Sequence, residues 1–549
     1  MRLRVFKFAA ALALGFPAAA LADSAKISPD LQPLLANPLN QIDVIVQFNS
    51  PPPACPGGLL GALICDLRGV VHTVFSLLYV VSASMTPADI LATSQQSNVT
   101  YISPNRTIAA TLDYSASAAN APSGWNVGLD GTGIGVAVID SGIYPHPDLR
   151  APGSTQSRIV YRQNFTTGVS YDDFGHGTHV AGIIAGNGKS SNLPGSPHVL
   201  RGVAPNARLV DLRVLDAKGA SNDATVIAAI QKAIDLQRIY NIRVINLSLG
   251  RPIYEGCAHD PLCLAVEMAW KHGIVVVSAA GNLGRNGYAT IVSPADNPRV
   301  ITVGAMKTMG TYPRSDDQIA SYSSKGPAYP DLTVKPDLVA PGNLVVSLLA
   351  PGSTLAQELP ANLIGPGYHG GNASDAPQYL RLSGTSMATP AVSGAVALML
   401  QKDPALSPDA VKARLMKTAG KTLALYSTAT DPATGQTYTS TADIFTVGAG
   451  YLDIAAALSN YDVAIRSAAS PAAQYNPVTQ QAQLVLTPAM TWNSGVPWSL
   501  ATVWGNTALL NSGATIWNAS DIWATNVVWG TNVVWGTNVV WGTSGEGEP

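Results

Sequence analysis

The sequence is poor in charged residues: Asp, Glu, Lys and Arg make up 12% of its 549 residues, and the formal net charge is −2. No basic surface is therefore expected to attract nucleic acid, and no acidic tract predicts a disordered tail. Cysteine is also scarce, with four in the whole chain. A chain of this length is too long for one compact core, so we expect about two to four folded units.

Residues 1–22 have the pattern of a secretory signal peptide. Basic residues precede the apolar run FAAALALGFPAAA, which ends at a small-x-small cleavage sequence formed by Ala20 and Ala22. The run is shorter than the roughly 20 residues that a membrane-spanning helix needs, so an N-terminal anchor is the weaker alternative. We expect the mature chain to be exported and extracellular.

The four cysteines form two close pairs, Cys55 with Cys65 and Cys257 with Cys263. An exported chain meets an oxidising compartment, so we expect two local disulfides. A metal site at these residues is disfavoured, because neither pair has the C-x-x-C spacing or a second histidine cluster nearby.

The N-terminal part of the mature chain has the pattern of a small separate domain. Strand-like runs cover 43–48 and 74–84, and a helix and a final strand are predicted within TPADILATSQQSNVTYISPNRTI. An Ala/Ser-rich segment, 111–124, follows and has the composition of an exposed linker that is easily cut.

From about 125 to 460 the chain alternates apolar runs with helical stretches. The apolar runs are GIGVAVID, ARLVDLRVL, RVINLSLG, GIVVVSAAG and RVITVGA. This alternation predicts an α/β fold with a parallel sheet covered by helices on both faces. Ligands bind at the carboxyl ends of the strands in such sheets, so the polar residues just after these runs are the candidate site residues.

Four motifs stand at such positions. Asp140 lies in GVAVIDSG, His176 in DFGHGTHVAGIIAG, Asn282 in VVVSAAGN and Ser386 in LSGTSMATPAVSG. In this order they closely resemble the motifs of the subtilisin-like serine proteases, the subtilase family, and shorter matches extend the resemblance over residues 125–458. The order Asp, His, Ser is a known property of subtilisin itself.

The resemblance implies a serine endopeptidase that acts on protein or peptide substrates. Ser386 would be the nucleophile, His176 the general base and Asp140 the carboxylate that orients the imidazole. Asn282 would stabilise the oxyanion together with the main-chain N–H of Ser386. This chemistry requires no cofactor.

The resemblance also implies where a substrate would lie. An extended peptide would bind beside two stretches of main chain around the primary specificity pocket, adding as a strand through main-chain hydrogen bonds. These stretches are Ser248, Leu249 and Gly250, and Ala279, Ala280 and Gly281. A bridge between Cys257 and Cys263, just after the first stretch, would stiffen one wall of the pocket.

Asp148, in the motif HPDL, matches a calcium ligand of the family. A structural calcium ion would need several further loop oxygens around it. The loop that should supply them, 186–202, is longer and more irregular than the family pattern. A plain loop carboxylate therefore stands as the alternative to a calcium ligand.

Residues 23–110 resemble the inhibitor-type propeptide of the family, most clearly in DVIVQF and NVTYISPNRTIA. The resemblance implies that this segment assists folding and occupies the active site until it is cut away, with the cut between 108 and 122. The loop between Cys55 and Cys65 departs from the family pattern, because it inserts residues between two expected strands.

Residues 461–549 lie outside the resemblance and hold eight of the ten tryptophans. Trp492, Trp498 and Trp504 are six residues apart, and after a one-residue shift the spacing continues from Trp517 to Trp541. On an extended chain this spacing places all rings on one side, about 20 Å apart. We therefore expect a six-residue extended repeat, for which a β-solenoid is one solution.

Such a tryptophan array would suit a carbohydrate- or surface-binding module, a self-association strand or an anchoring element. A duplicated, poorly ordered tail is the alternative. For the whole chain, the competing function is a surface-binding or adhesive protein whose catalytic fold is an idle scaffold. If the tail is separate from the catalytic part, removing 485–549 should leave the turnover of a small peptide substrate unchanged.

Overall fold

The structure is a computed structural model and describes residues 24–51, 69–105, 107–110, 119–194, 196, 198–311, 314–430, 435–476, 481–505 and 515–518. The predicted signal peptide, Cys55 and Cys65, the first part of the predicted linker and the repeats after Trp517 lie outside these residues. The chain divides into two compact units, Met1–Pro104 and Asn105–Pro549. Within the described ranges, no helix is long and apolar enough to cross a bilayer.

In its described residues, the first unit is an antiparallel sheet with one α-helix. Its elements are β1 Ile42–Phe48, β2 Val70–Phe75, β3 Val80–Met85, α1 Pro87–Ser94 and β4 Val99–Pro104. The strands lie in the order β2-β3-β1-β4. The predicted run 74–84 is divided between two strands, because Phe75 pairs with Val80 across a hairpin turn. Thr86 begins α1 by accepting the N–H of Asp89, as expected of an N-cap threonine.

The second unit holds the remaining elements. Its strands are β5 Thr107–Ala110, β6 Gly135–Asp140, β7 Ile159–Asn164, β8 Arg208–Arg213, β9 Ala220–Asn222, β10 Ile242–Leu247, β11 Leu249–Gly250, β12 Val275–Ala279, β13 Ile301–Lys307, β14 Gln318–Ile319, β15 Leu338–Pro341, β16 Val345–Leu348, β17 Leu363–Ile364, β18 Tyr379–Leu382, β19 Tyr426–Thr430, β20 Thr437–Thr441, β21 Ala472–Asn476, β22 Gln481–Val485 and β23 Thr515–Asn518. Its helices are α2 Pro122–Trp125, α3 His176–Ala185, α4 Asp223–Asp235, α5 Gln237–Tyr240, α6 Pro261–Lys271, α7 Thr354–Glu358, α8 Thr385–Lys402, α9 Pro408–Thr418, α10 Ile444–Val447, α11 Ile454–Ser459 and α12 Leu500–Trp504.

The main sheet has eight strands in the order β14-β13-β12-β10-β6-β8-β7, with β15 also paired to β13. All pairs are parallel except β13 with β14, so the predicted parallel sheet is a mixed one. Residues 308–317, which join β13 to β14, are too few for a parallel pair, since that needs a crossover of about a dozen residues or more.

Helices cover both faces of this sheet. Every residue of β6, β12 and β13 is buried. Because side chains alternate between the faces of a strand, burial of all of them requires cover on both sides. Helices α3 and α8 pack on each other and on the sheet, and α4 and α6 do the same.

Residues 107–110 belong to the second unit, although the sequence assigned them to the N-terminal domain. They form β5, the central strand of a small sheet ordered β11-β5-β9. Both of its pairings are antiparallel. The first compact unit therefore ends at Pro104, because the hydrogen bonds of β5 are made within the second unit.

The first three tryptophans of the predicted repeat are part of the second unit's packing. Trp492 lies in a 3₁₀ helix and Trp504 ends α12. Their rings meet edge to face with centroids 5.0 Å apart, and Trp492, Trp498 and Trp504 are all buried. The prediction of an extended repeat from Trp492 is therefore wrong for this stretch, because these rings bury in helical and turn segments instead of lining a strand. These three residues group by contact with the second unit.

Candidate active site

Asp140 ends β6, and His176 is the first residue of α3. The Nδ1 atom of His176 lies 2.7 Å from Oδ1 of Asp140, and both side chains are fully buried. The same carboxylate oxygen accepts the N–H of Ser141. A carboxylate in this place holds the imidazole proton on Nδ1, so Nε2 is left as the basic nitrogen.

A second carboxylate, Asp172, fixes the start of α3. It accepts four hydrogen bonds, from the N–H groups of Gly175 and Thr178 and from the hydroxyls of Ser141 and Thr178. Because the first N–H groups of a helix lack partners within the helix, these bonds hold the turn that carries His176. The sequence reasoning missed Asp172. The sequence does offer a signal for Asp172: it is an acidic residue just before the start of a predicted helix, and acidic residues at such positions often act as caps.

His179, one turn further along α3, is also fully buried. Its Nε2–H donates to the main-chain oxygens of Leu380 at 3.1 Å and Val345 at 3.3 Å. Burial, and to a smaller extent the neighbouring His176, lowers the pKa of His179 to about 3. The ring is therefore neutral near pH 7 and links α3 to β16 and β18.

Ser386 is the second residue of α8 and is buried beside Ser248. Its hydroxyl donates to the main-chain oxygen of Ser248 at 3.0 Å, and the hydroxyl of Ser248 donates to the main-chain oxygen of Ser386 at 2.7 Å. The side chain of Asn246 donates to the Ser248 hydroxyl at 3.0 Å. Since α3 and α8 pack against each other, the helices that carry His176 and Ser386 are brought together.

Asn282 follows the end of β12 and is half-buried. Its side-chain oxygen accepts hydrogen bonds from Thr385, the residue before the predicted nucleophile. Because the oxygen end of the amide is occupied, its NH₂ group is the end left to donate toward a reacting carbonyl.

The chain's own β5 marks a cleft, which we define as the gap between β9 and β11. Ala110 lies opposite Leu249 and Ala109 opposite Gly250, while β9 pairs along the other edge of β5. The cleft is one strand wide, and main-chain groups of residues 249–250 line it. This is the geometry by which an extended peptide adds to a sheet.

The second predicted stretch, 279–281, does not offer such an edge. Ala279 pairs with Val303 in the main sheet. The N–H groups of Ala280 and Gly281 donate to the oxygen of Val303 and to the hydroxyl of Thr385. Because these donors already have partners inside the protein, the stretch is suited to forming a wall of the pocket rather than a strand edge.

Cys257 and Cys263 are paired in the structure, with Cα atoms 5.3 Å apart. The loop that they close connects β11 to α6 and carries Asp260, whose side chain caps α6. The pair therefore lies just beyond one wall of the cleft, where the sequence placed it.

Asp148 lies in a short 3₁₀ turn and is fully buried. Its two carboxylate oxygens accept hydrogen bonds from the N–H of Ser190 and from the hydroxyl of Tyr379, each at 2.7 Å. Each oxygen of the carboxylate therefore already has a hydrogen-bond donor within the protein.

The main-chain oxygens around Asp148 already surround a cation, the guanidinium of Arg158. This side chain donates to the main-chain oxygens of Asp148, Arg150, Ala185 and Ala207. Burial lowers the pKa of Arg158 to about 10, so the group is still charged at neutral pH. A calcium ion requires about six to eight oxygen ligands, and here the oxygens face a fixed positive charge. In the described part of the chain, these four oxygens therefore serve Arg158 and not calcium, which favours a plain buried carboxylate for Asp148.

Comparisons with known proteins cover most of this unit. The model of the subtilase family, peptidase S8, matches residues 131–450, more than half of the chain. Serine protease AprX of Bacillus subtilis (strain 168) is 37% identical over 361 residues, which are 63% of this chain and 75% of that protein. Subtilisin E of the same organism is 34% identical over 362 residues, which are 65% of this chain and 80% of that protein.

A solved structure gives a likeness of fold. The crystal structure of fervidolysin from Fervidobacterium pennivorans, described as a keratinolytic enzyme related to subtilisin, matches with a TM-score of 0.52 at 24% identity. The match covers 77% of this chain and 61% of that one, so this chain spans less than two thirds of the fervidolysin structure.

Proposed function

Because the chain belongs to the subtilase family of serine proteases, we propose that it is a secreted endopeptidase that hydrolyses peptide bonds through an acyl-enzyme and is made as a self-processing precursor. The observation that carries this proposal is β5, a stretch of the chain's own backbone added as a strand between β11 and β9. A protein or peptide substrate would bind in the same way, by main-chain hydrogen bonds.

In the first step, Ser386 Oγ attacks the substrate carbonyl carbon while its proton passes to Nε2 of His176. The hydrogen bond from Nδ1 to Asp140 keeps the ring in the required tautomer and stabilises the imidazolium. The oxygen of the tetrahedral intermediate takes hydrogen bonds from the Asn282 NH₂ group and from the N–H of Ser386. The C–N bond then breaks, and His176 gives the proton to the leaving amine.

Water completes the reaction. His176 takes a proton from a water molecule, whose oxygen adds to the acyl carbon bound to Ser386. The ester bond breaks, and the proton returns from the imidazolium to Ser386 Oγ. The free enzyme is restored, and the N-terminal part of the substrate is released as a carboxylic acid.

The register of β5 supports a specific position for the first cut in the precursor. A strand seated as β5 and continued by one residue past Ala110 would come opposite Ser248, whose oxygen accepts the hydroxyl of Ser386. The chain should therefore be cut after Thr111, within the window 108–122, and the mature protein should begin at Leu112. Until it leaves, the β5 segment acts as an intramolecular inhibitor.

Export is supported by the signal-like sequence 1–22 and by the Cys257–Cys263 pair, which suits an oxidising compartment. The alternative of a surface-binding protein depends on an array of accessible tryptophans. Trp492, Trp498 and Trp504 are buried, so these three rings offer no such surface. The later repeats lie beyond the described residues, and no observation on them favours binding.

A pair of serine variants tests the proposal. Ser386→Ala should bind no fluorophosphonate probe, cleave no casein and remain an uncut precursor. Ser459→Ala, which changes an exposed serine at the end of α11, should behave as wild type. Cleavage of casein by purified Ser386→Ala protein would refute the assignment. N-terminal sequencing of the secreted wild-type protein tests the cut after Thr111 and the export together.

A further inference from the structure

A buried ion pair joins the two walls of the cleft. Arg251 directly follows β11, and Asp223 directly follows β9. The guanidinium Nε is 3.0 Å from one carboxylate oxygen of Asp223, and Nη2 is 3.1 Å from the other. The Arg251 side chain is 1% exposed and that of Asp223 is fully buried. A bidentate pair of this kind fixes both distance and orientation.

Arg251 also makes hydrogen bonds to residues other than Asp223. Its Nη2 also donates to Asp260 at 2.9 Å, and Nη1 donates to the main-chain oxygen of Pro252 at 3.0 Å. Its main-chain N–H and C=O both pair with Ser293. Burial by itself lowers the pKa of Arg251, but the carboxylates of Asp223 and Asp260 outweigh this and raise the pKa above its usual value. Arg251 is therefore charged at any working pH, and its bidentate contact with Asp223 acts as a brace between the two walls.

We propose that Arg251 is a positioning residue that, through Asp223, holds β9 and β11 one strand apart, so that the enzyme favours substrates extended on the N-terminal side of the cut bond. The inference rests on the strand addition proposed above. Strands that flank a common neighbour lie about 10 Å apart, too far to hydrogen-bond to each other. When the cleft is empty, this pair and the packing of α4 on α6 keep the gap, and a preformed gap lowers the cost of ordering the walls on binding.

The pair acts at the end of the cleft far from Ser386. Thr107, at the start of β5, lies opposite Asn222, the residue before Asp223. Ala110, at the other end of β5, is the residue nearest to the register position of Ser248. A long substrate reaches the braced end, whereas a substrate that occupies only the Ala110 end does not. Substrate length therefore separates this role from a general effect on catalysis.

Two variants of matched chemistry test the inference. Asp223→Asn removes the charge that links the walls but leaves Arg251 paired with Asp260, so the buried guanidinium keeps a counter-ion. Asp260→Asn makes the same change on the same guanidinium, but its carboxylate belongs to the cap of α6 and not to a wall of the cleft. Asp223→Glu keeps the charge. It should therefore show more of the preference for long substrates than Asp223→Asn does.

The assay uses matured enzyme whose active sites are counted with a fluorophosphonate probe. The long substrate is acetyl-Thr-Ile-Ala-Ala-Thr p-nitroanilide, which repeats residues 107–111, and the short one is acetyl-Ala-Thr p-nitroanilide. Wild type should show the higher kcat/KM with the long substrate. Asp223→Asn should reduce this preference about tenfold, mainly by raising KM for the long substrate. Asp260→Asn should keep the preference within about twofold of wild type.

An unchanged preference in Asp223→Asn, an equal loss in Asp260→Asn, or a wild type with no preference for length would overturn the inference. If Asp223→Asn does not fold, the comparison of wild type with Asp223→Glu decides, since the longer side chain should shift the wall and lower the preference. Fluorophosphonate labelling and turnover of the short substrate report on the proposed protease activity separately, so failure of the inference is distinguishable from failure of that function.

Discussion

The side-chain oxygen of Asn282 accepts two hydrogen bonds from Thr385, one from its N–H at 2.9 Å and one from its hydroxyl at 3.0 Å. The Thr385 hydroxyl also accepts the N–H of Gly281 at 3.1 Å. The residue before the proposed nucleophile thus sets which end of the Asn282 amide faces a substrate. The helix that carries Ser386, α8, thus also orients the NH₂ group of Asn282.

We expect Thr385→Val to lower kcat about fivefold with little change in KM. Loss of the hydroxyl removes its bond to Asn282, worth about 1 kcal/mol, and also the bond that it accepts from Gly281. Thr389→Val is the control, because that hydroxyl donates to a main-chain oxygen within the same helix. Steady-state kinetics on a peptide anilide measure both. A wild-type kcat in Thr385→Val would show that Asn282 is oriented without this bond.

Chelators are expected to leave the Tm of the wild-type protein within about 1 °C, because Arg158 already fills the space among the oxygens near Asp148. Arg158→Ala should lower the free energy of unfolding by about 3 kcal/mol or more, since it leaves buried oxygens without donors. Added Ca²⁺ should then recover part of the lost Tm, because hard cations bind such oxygens.

The control for Arg158→Ala is Arg208→Ala, which changes an exposed arginine at the start of β8 and should not respond to Ca²⁺. Differential scanning fluorimetry with and without EDTA and CaCl₂ measures all of these shifts. A marked fall in wild-type Tm on adding EDTA would contradict the assignment of Arg158 as the resident cation.

Acid should destabilise the protein through His179. In the unfolded chain this ring gains a proton near pH 6.5, but in the folded protein only near pH 3, because it is buried. Between these values the unfolded state binds more protons, so stability is retained above about pH 6.5 and falls as the pH drops. The loss from this one group is about 2 kcal/mol at pH 5.

His179→Gln should flatten this dependence, since glutamine can donate a hydrogen bond but does not titrate. Urea unfolding at pH 7 and pH 5 gives the change in free energy for both proteins. The comparison controls for the general destabilisation of the variant, because only the difference between the two pH values is used. An equal pH dependence in the two proteins would assign acid sensitivity to other groups.

Trp504→Ala should lower the free energy of unfolding by about 3–5 kcal/mol, as expected for deleting a buried aromatic ring. Lys421 donates to the main-chain oxygen of Val503, so this segment is also tied to the unit by polar contacts. Val496→Ala, at an 89% exposed position, is the control. Chemical denaturation measures both, and an unchanged stability in Trp504→Ala would contradict the burial.

The same packing changes the expectation for truncation. Removal of 485–549 takes away Trp492, Trp498 and Trp504 and should destabilise the catalytic unit, contrary to the expectation from the spacing alone. Removal of 519–549 touches none of these contacts and should leave the Tm and the turnover of a small peptide substrate as in wild type. Each truncation is compared with full-length protein prepared in parallel.

The family and the candidate site could be predicted from the sequence because their signals are local. Asp140 ends an apolar strand, and His176 and Ser386 lie at the starts of helices. The sequence next to each residue is therefore enough to predict its structural position. The family resemblance is confirmed by the match over residues 131–450. Polar residues at strand ends and helix starts of a parallel sheet meet at one edge, and their meeting follows from the fold class.

Arg158 and Arg251 could not be assigned in the same way. Arg158 bonds to Ala207, 49 residues away, and Arg251 to Asp223, 28 residues away. No local pattern tells which loops will enclose a buried charge. The tryptophan spacing was misleading for a related reason. A spacing of six residues is even and fits an extended strand, but Trp492 and Trp504 lie in helical segments and pack into the core of the second unit.

In the structure the cleft is filled by β5, a strand of the same polypeptide, and under the proposed self-processing this has a kinetic consequence. Because β5 is joined to the unit it fills, it binds at an effective concentration set by the chain and independent of how much protein is present. Cutting the chain converts that tether into an ordinary complex, which dissociates more completely as it is diluted. If the protein is exported as proposed, dilution in the medium would by itself complete its activation, without any separate activator.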